Sequence, residues 1–153
     1  MLAEGDRAPD FDLPDAEGRR VTLSALLREG PVVLYFYPAD FTPVCTRQAC
    51  LLRDRHAPLR TAGAQVVGIS PQAPASHRRF RERHGLTFLL LADPGREAIR
   101  AYGALGLLGL LVRRVTYLIL QDGRIHDRVV ADLRLGRHAD FVARVIDKLE
   151  RKA

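Results

Sequence analysis

Two cysteines, Cys45 and Cys50, lie in the segment Tyr37-Pro38-Ala39-Asp40-Phe41-Thr42-Pro43-Val44-Cys45-Thr46-Arg47-Gln48-Ala49-Cys50, and the chain holds no others. Thr42 suits an N-cap and Pro43 the first helical position. Cys45 is therefore expected in the first turn of a helix, where unpaired N–H groups and the positive dipole end favour a thiolate over a thiol. A thiolate is the reactive nucleophile. The plain alternative is that both cysteines fill apolar space, as free cysteine often does. A five-residue spacing puts them on different sides of the helix, which favours chemistry. Zinc is a poor alternative, because two cysteines without a second Cys/His cluster build no closed site. No metal is expected. The Cys-x-x-Cys spacing of general thiol–disulfide exchange is missing. His56, His77, His84, His126 and His138 are scattered, without the Ser or Cys pairing of a hydrolase, and read as surface or ordinary helix residues.

The elements around this segment alternate. Pro9 to Thr22 reads as two short extended pieces about a Glu17-Gly18 turn, an N-terminal hairpin. Ser24 is expected to cap a short helix through Leu27, stopped by Gly30-Pro31. Val32 to Tyr37 is continuously apolar or aromatic and fits a strand buried on both faces, ended by Pro38. A helix then runs from Pro43 toward Arg60. Gln65 to Ser70 is a second buried strand, Ala73 to His84 a helix closed by Gly85, and Phe88 to Leu91 a short strand. Asp93-Pro94 opens a helix through Tyr102. Val115 to Leu120 and Arg124 to Val130 form a hairpin about Asp122-Gly123, and an amphipathic helix from Arg137 to Lys148 finishes the chain. This order predicts an α/β thioredoxin-like fold, with a mixed central β-sheet flanked by helices and an N-terminal β-hairpin extension. Loops after strands are where such folds place their sites, and Cys45 follows one.

With 153 residues, 47% of them hydrophobic, the chain suits one domain over 1–153. The N-terminus offers no secretory pattern, which points to the cytoplasm. There ordinary thiols stay reduced, so chemistry explains the cysteines better than a structural staple. The longest apolar stretch, Ala104 to Val112, is too short for a bilayer, and no membrane association is expected. The net charge of +6 comes mostly from arginine. The arginines are scattered and lack interleaved aromatics, so no nucleic acid partner is expected. The cluster Arg78-Arg79-Phe80-Arg81-Glu82-Arg83 reads as one helix face. The run from Gly106 to Leu111 is either an exposed apolar patch, serving a dimer or the docking of a reductant, or a loop tucked over the core.

Pro38, Thr42 and Cys45 match Pro-x-x-x-Thr-x-x-Cys position for position, and on these residues the chain resembles the peroxiredoxins. The second cysteine after four intervening residues resembles the Q-type, or bacterioferritin-comigratory, subgroup. Gly5 to Phe11, Val67 to Ser70, and Arg114 to Ile119 before Asp122-Gly123 extend the resemblance over nearly the whole chain. It implies a peroxidase in which Cys45 attacks a peroxide and becomes a sulfenic acid, Cys50 condenses with it in an intramolecular disulfide, and thioredoxin or a glutaredoxin-like protein resets the pair. Thr42 would hydrogen-bond around the thiolate and peroxide, Pro38 would shield the pocket, and Arg114 would stabilise negative charge. Arg113 competes for that last role, but Arg114 shares a strand face with Thr116. No flavin, haem or metal is required, and the state is expected to be a monomer or weak homodimer. Gln48 stands where the subgroup usually has Glu, and Leu120 where Asp often follows Leu-Ile. The stretch between Tyr102 and Arg114 is shorter and more apolar than usual. A redox-sensing or holdase protein switched by cysteine oxidation is the alternative from another class.

Overall fold

The computed structural model describes residues 1–132 and 134–152. Five strands form the central sheet in the order β5-β4-β3-β6-β7: β3 (Val32–Phe36), β4 (Gln65–Ser70), β5 (Leu89–Ala92), β6 (Val115–Ile119) and β7 (Ile125–Val130). β3, β4 and β5 are parallel, whereas β6 runs antiparallel to β3 and β7 to β6. β1 (Asp12–Pro14) and β2 (Arg20–Thr22) make the separate hairpin at the N-terminus, its turn tied by Asp15 Oδ1 accepting from the N–H groups of Glu17 and Arg19.

β3 is the axis of the core. Its side chains alternate between two fully buried faces, as a strand with helices on both sides requires. Val32, Leu34 and Phe36 face the hairpin, α1 (Leu23–Glu29) and α4 (Glu97–Ala101). Val33, Tyr35 and Tyr37 face α2 (Pro43–Thr61), α3 (Pro74–His84) and α5 (Leu135–Lys152). Tyr35 lies across Gly68 of β4, where a Cβ would stand 2.7 Å from its ring carbons. Glycine at 68 is what lets an aromatic residue lie flat on the sheet. Among the described residues no helix is long and apolar enough to cross a membrane.

Several local expectations shift. Thr22 caps α1, its hydroxyl accepting from Ala25 N–H, so Ser24 already lies inside the helix. Asp93 receives the N–H groups of Glu97 and Ile99 on its side chain, and helical geometry begins only after Arg96, at φ 58. α4 is thus shorter than the span from Asp93 to Tyr102. β3 ends at Phe36, although Tyr37 N–H still pairs with the Ile69 carbonyl. α5 extends beyond the Arg137 to Lys148 stretch at both ends. In α3 the arginines do not share one face, because neighbours step by about 100° around a helix. Phe80 points into the core while Arg78, Arg79 and Arg83 are exposed around it.

The run 106–111 is a loop closed by a bridge between Leu105 and Val112 and contains a 3₁₀ turn at Leu107–Gly109. Leu108, Leu110 and Leu111 are 67 to 85% exposed. It is the exposed patch rather than a covered loop.

Candidate active site

The site forms where β3 hands over to α2. Pro43 at the first helical position drives Thr42 into extended geometry, at φ −77 and ψ 149, since a residue before proline is excluded from the helical region. Thr42 occupies the N-cap position, but its hydroxyl does not cap. Oγ1 donates instead to the Ala39 carbonyl at 3.1 Å, closing the turn onto itself. The first backbone bond into the helix runs from Thr46 N–H to the Thr42 carbonyl. Earlier N–H groups of the first turn, Cys45's among them, are left uncapped by Thr42.

Cys45 points into the core and is 1% exposed. Arg114, one residue before β6 and 69 positions along the chain, reaches it: Nη1 donates to Cys45 Sγ at 2.9 Å and to Gln48 Oε1 at 3.3 Å. The guanidinium is itself buried and aimed by its other end. Nε donates to the Asp132 carbonyl at 2.9 Å, and the Arg114 backbone N–H donates to Asp132 Oδ1 at 2.9 Å. Arg113 turns outward to an ion pair with Asp132 at 3.0 Å. Burial works to raise the Asp132 carboxyl, but the N–H of Arg114 and the side chain and charge of Arg113 outweigh it and hold the group below the usual carboxylate range. Asp132 is thus an anion that fixes two consecutive arginines in opposite directions.

Below Arg114, Thr116 Oγ1 lies 3.2 Å from His138 Nδ1, while His138 Nε2 donates to the Ala131 carbonyl at 3.0 Å. Burial, reinforced by the positive charge of Arg114, pushes His138 below the ordinary histidine range despite the opposing effect of that carbonyl. His138 is 2% exposed, His77 is fully buried and His56 is 8% exposed. The expectation that all five histidines are surface or ordinary helix residues is therefore corrected for these three. α3 and α5 turn His77 and His138 toward the sheet, α2 sets His56 against Thr87, and helical period alone did not distinguish those faces.

Pro38, Gly106, Leu111, Val112, Arg113, Arg114 and Asp132 line a cleft of about 490 Å³. Its walls are largely apolar, and Arg114 joins it to Cys45. Cys50 lies elsewhere. It is half-buried, with Arg47, Leu51, Asp54, Arg55 and Pro58 around a shallow groove on the outer side of α2. Both cysteines are free, and α2 is intact between them. In an unbroken helix, residues five apart have Cα atoms about 8 to 9 Å apart. That exceeds the roughly 7 Å limit of a disulfide. Among the described residues no group of three or more His, Cys, Asp or Glu side chains forms a metal-binding cluster.

Sequence reasoning missed a second buried group on the same turn. Asp40 and His77 pair at 2.7 Å with both side chains fully buried, and Tyr37 Oη donates to Asp40 at 2.6 Å. The signal available was Asp40 itself, a carboxylate between a buried strand and a helix.

Residues 4–128 match the AhpC/TSA family. The chain is 48% identical over 130 residues to a peroxiredoxin of Mycobacterium tuberculosis, covering 81% of this chain and 82% of that protein. It is 44% identical over 123 residues to the chloroplastic peroxiredoxin Q of Oryza sativa subsp. japonica, covering 80% of this chain and 56% of the rice protein. Among solved structures it is similar to peroxidoxin BcpB of Mycobacterium tuberculosis, with a TM-score of 0.89, 36% identity and coverage of 97% of this chain and 98% of the other. It is also similar to the bacterioferritin comigratory protein of Xanthomonas campestris, with a TM-score of 0.82, 25% identity and coverage of 91% and 92%. That protein was solved as trapped-intermediate and ligand complexes bearing on its alkyl peroxide reduction activity. The likeness includes the thioredoxin-like fold.

Proposed function

Because the chain belongs to the AhpC/TSA family, and so to the peroxiredoxins and their thiol peroxidase chemistry, we propose that it reduces hydrogen peroxide and organic hydroperoxides through Cys45, resolves the product through Cys50, and is recycled by thioredoxin or a glutaredoxin-like protein. The observation that carries this reading is the 2.9 Å hydrogen bond from Arg114 to Cys45. A buried guanidinium calls for an anionic partner. Gln48 is neutral, and the Asp132 carboxylate is half-exposed and shared with Arg113. A thiolate at Cys45 supplies the missing charge.

In the proposed reaction the Cys45 thiolate attacks one peroxide oxygen in line with the O–O bond. The sulfur gains that oxygen as a sulfenic acid, and the second oxygen leaves with the bonding pair, taking a proton as water or an alcohol. Arg114 stays in contact with the charge as it moves from sulfur to oxygen, and Thr42 supplies a hydroxyl on the same turn. Pro38 shields the sulfur as one wall of the cleft. The near-complete burial of Cys45 suits the slender –OOH end of a substrate, and the apolar wall of Leu111 and Val112 suits the organic tail of a hydroperoxide.

Cys50 then attacks the sulfenic sulfur, releasing water and forming a disulfide. The separation across an intact helix means that α2 must open between the two cysteines for this step. An external dithiol returns two electrons, and the groove around Cys50 gives it access. The state proposed is a monomer or weak homodimer, with the exposed leucines of the 106–111 loop as the surface a second copy would cover. Intact mass spectrometry after one equivalent of peroxide tests the scheme. The wild-type chain is expected to lose two hydrogens, and C50S to gain one oxygen. A wild-type chain that gains oxygen and keeps all its hydrogens would remove Cys50 from the mechanism.

A further inference from the structure

Asp40 is 5% exposed and lies two residues before Thr42 and five before Cys45. Its backbone N–H and both carboxylate oxygens are engaged by β3's end or by the α3 side of the molecule. Its backbone N–H donates to Gln72 Oε1 at 2.6 Å, and Oδ1 accepts from Tyr37 Oη at 2.6 Å. Oδ2 accepts from Ser76 Oγ at 2.8 Å and lies 2.7 Å from His77 Nδ1. His77 in turn is oriented by its other nitrogen, 3.0 Å from the Leu91 carbonyl on β5. A carbonyl only accepts, so Nε2 carries a hydrogen. None of these partners belongs to α2.

The next residue, Phe41, is held at φ 64, a conformation that a residue with a Cβ resists. Such geometry persists only where neighbours over-determine it. The clamp on Asp40 stands on one side of Phe41, and the packing of its ring edge-on against Phe80 of α3, centroids 5.2 Å apart, holds the other.

Resting on the peroxidase reading above, we propose that the Asp40–His77 pair positions the nucleophile: it pins the start of α2 to α3 and β5, so that opening of the helix is confined to residues beyond Asp40 and Thr42 and Cys45 return to one place after each turnover. Asp40 and His77 touch neither sulfur nor substrate and act through the turn.

The test compares two second-order rate constants for Cys45 in folded protein, one with hydrogen peroxide by stopped flow and one with iodoacetamide, which needs no aligned arginine. In D40A the peroxide constant is expected to fall by about tenfold or more, as a misplacement near 1 Å at a reacting group does, while alkylation is unchanged or faster. In D40N the peroxide constant is expected to stay within about threefold of wild type. The Asn amide can donate to His77 Nδ1 and Ser76 Oγ, and its carbonyl can still accept from Tyr37. A D40A protein with a lowered melting temperature and an unaltered peroxide constant would make the pair merely structural and overturn the proposal. So would a D40N protein as slow as D40A. Should D40A not fold, S76A decides: it strips one bond from Asp40 at a half-buried position, and a peroxide constant lowered by about threefold with alkylation unchanged is expected, no change being the contrary result. A wild-type chain unreactive toward peroxide would instead sink the peroxidase reading, which distinguishes the two failures.

Discussion

The two cysteines sit five residues apart on one helix, in opposite surroundings. Cys45 is buried, donated to by a guanidinium, and follows a turn tied to β3 and α3 by Asp40. Cys50 is half-buried in a groove between Arg47 and Arg55, with no comparable network among the described residues. A group that must meet a peroxide in one geometry gains from rigid placement. A group that must travel to its partner gains from loose attachment. The contrast divides α2 into a part that is held and a part that can open.

The largest test of this division is at Arg114. R114Q is expected to lower the rate constant for Cys45 oxidation by about 100-fold, the scale of removing one preorganised charge or donor. The paired substitution R47Q/R55Q, on the Cys50 side, is expected to leave that constant within about twofold. Stopped-flow measurement of both would erase the contrast if the two variants slowed alike.

A smaller effect is expected at the cleft. Leu111 is 72% exposed, so L111D leaves the core intact. It is expected to reduce the rate constant for a bulky organic hydroperoxide by about three- to tenfold, the weight of a lost apolar contact, with that for hydrogen peroxide unaffected. Equal loss for both substrates would move the organic tail away from this wall.

The smallest concerns stability against pH. His138 is held below its ordinary range by burial first, with the Arg114 charge acting in the same direction. The unfolded chain therefore takes up a proton near pH 6.5 that the folded chain refuses. Stability is full above that pH and is lost as the pH falls below it. His56 is lowered in the same sense, by burial and then by Arg60. A drop of a few degrees in melting temperature from pH 7 to pH 5 is expected, since each 1 kcal/mol moves Tm by about 2–4 °C at this chain length. H138Q is expected to narrow that drop, and a drop of wild-type size in H138Q would assign the acid sensitivity elsewhere.

Much of the fold was legible because its signals are local. The run from Val32 to Tyr37 reads as a strand buried on both sides from its composition alone, and Thr42-Pro43 marks a helix start by the rules of proline. Boundaries moved where a side chain competed with a backbone group. Thr22 rather than Ser24 capped α1, and Asp93 delayed α4 by taking two N–H groups onto its own carboxylate. The Thr42 hydroxyl, expected as a cap, bonds backward to Ala39.

What the sequence by itself determined was the strand-to-helix handover that sets a cysteine in a helix's first turn, with a second cysteine outside that face. Both follow from spacing over a few residues. Only the tertiary structure decided which distant groups converge there: Asp132 to aim Arg114, His77 on Asp40, and His138 beneath Thr116. The physical reason is that a helix's period names its faces without saying which one the sheet will cover. Burial, which turns a scattered arginine or histidine into a partner, exists only once the layers have packed.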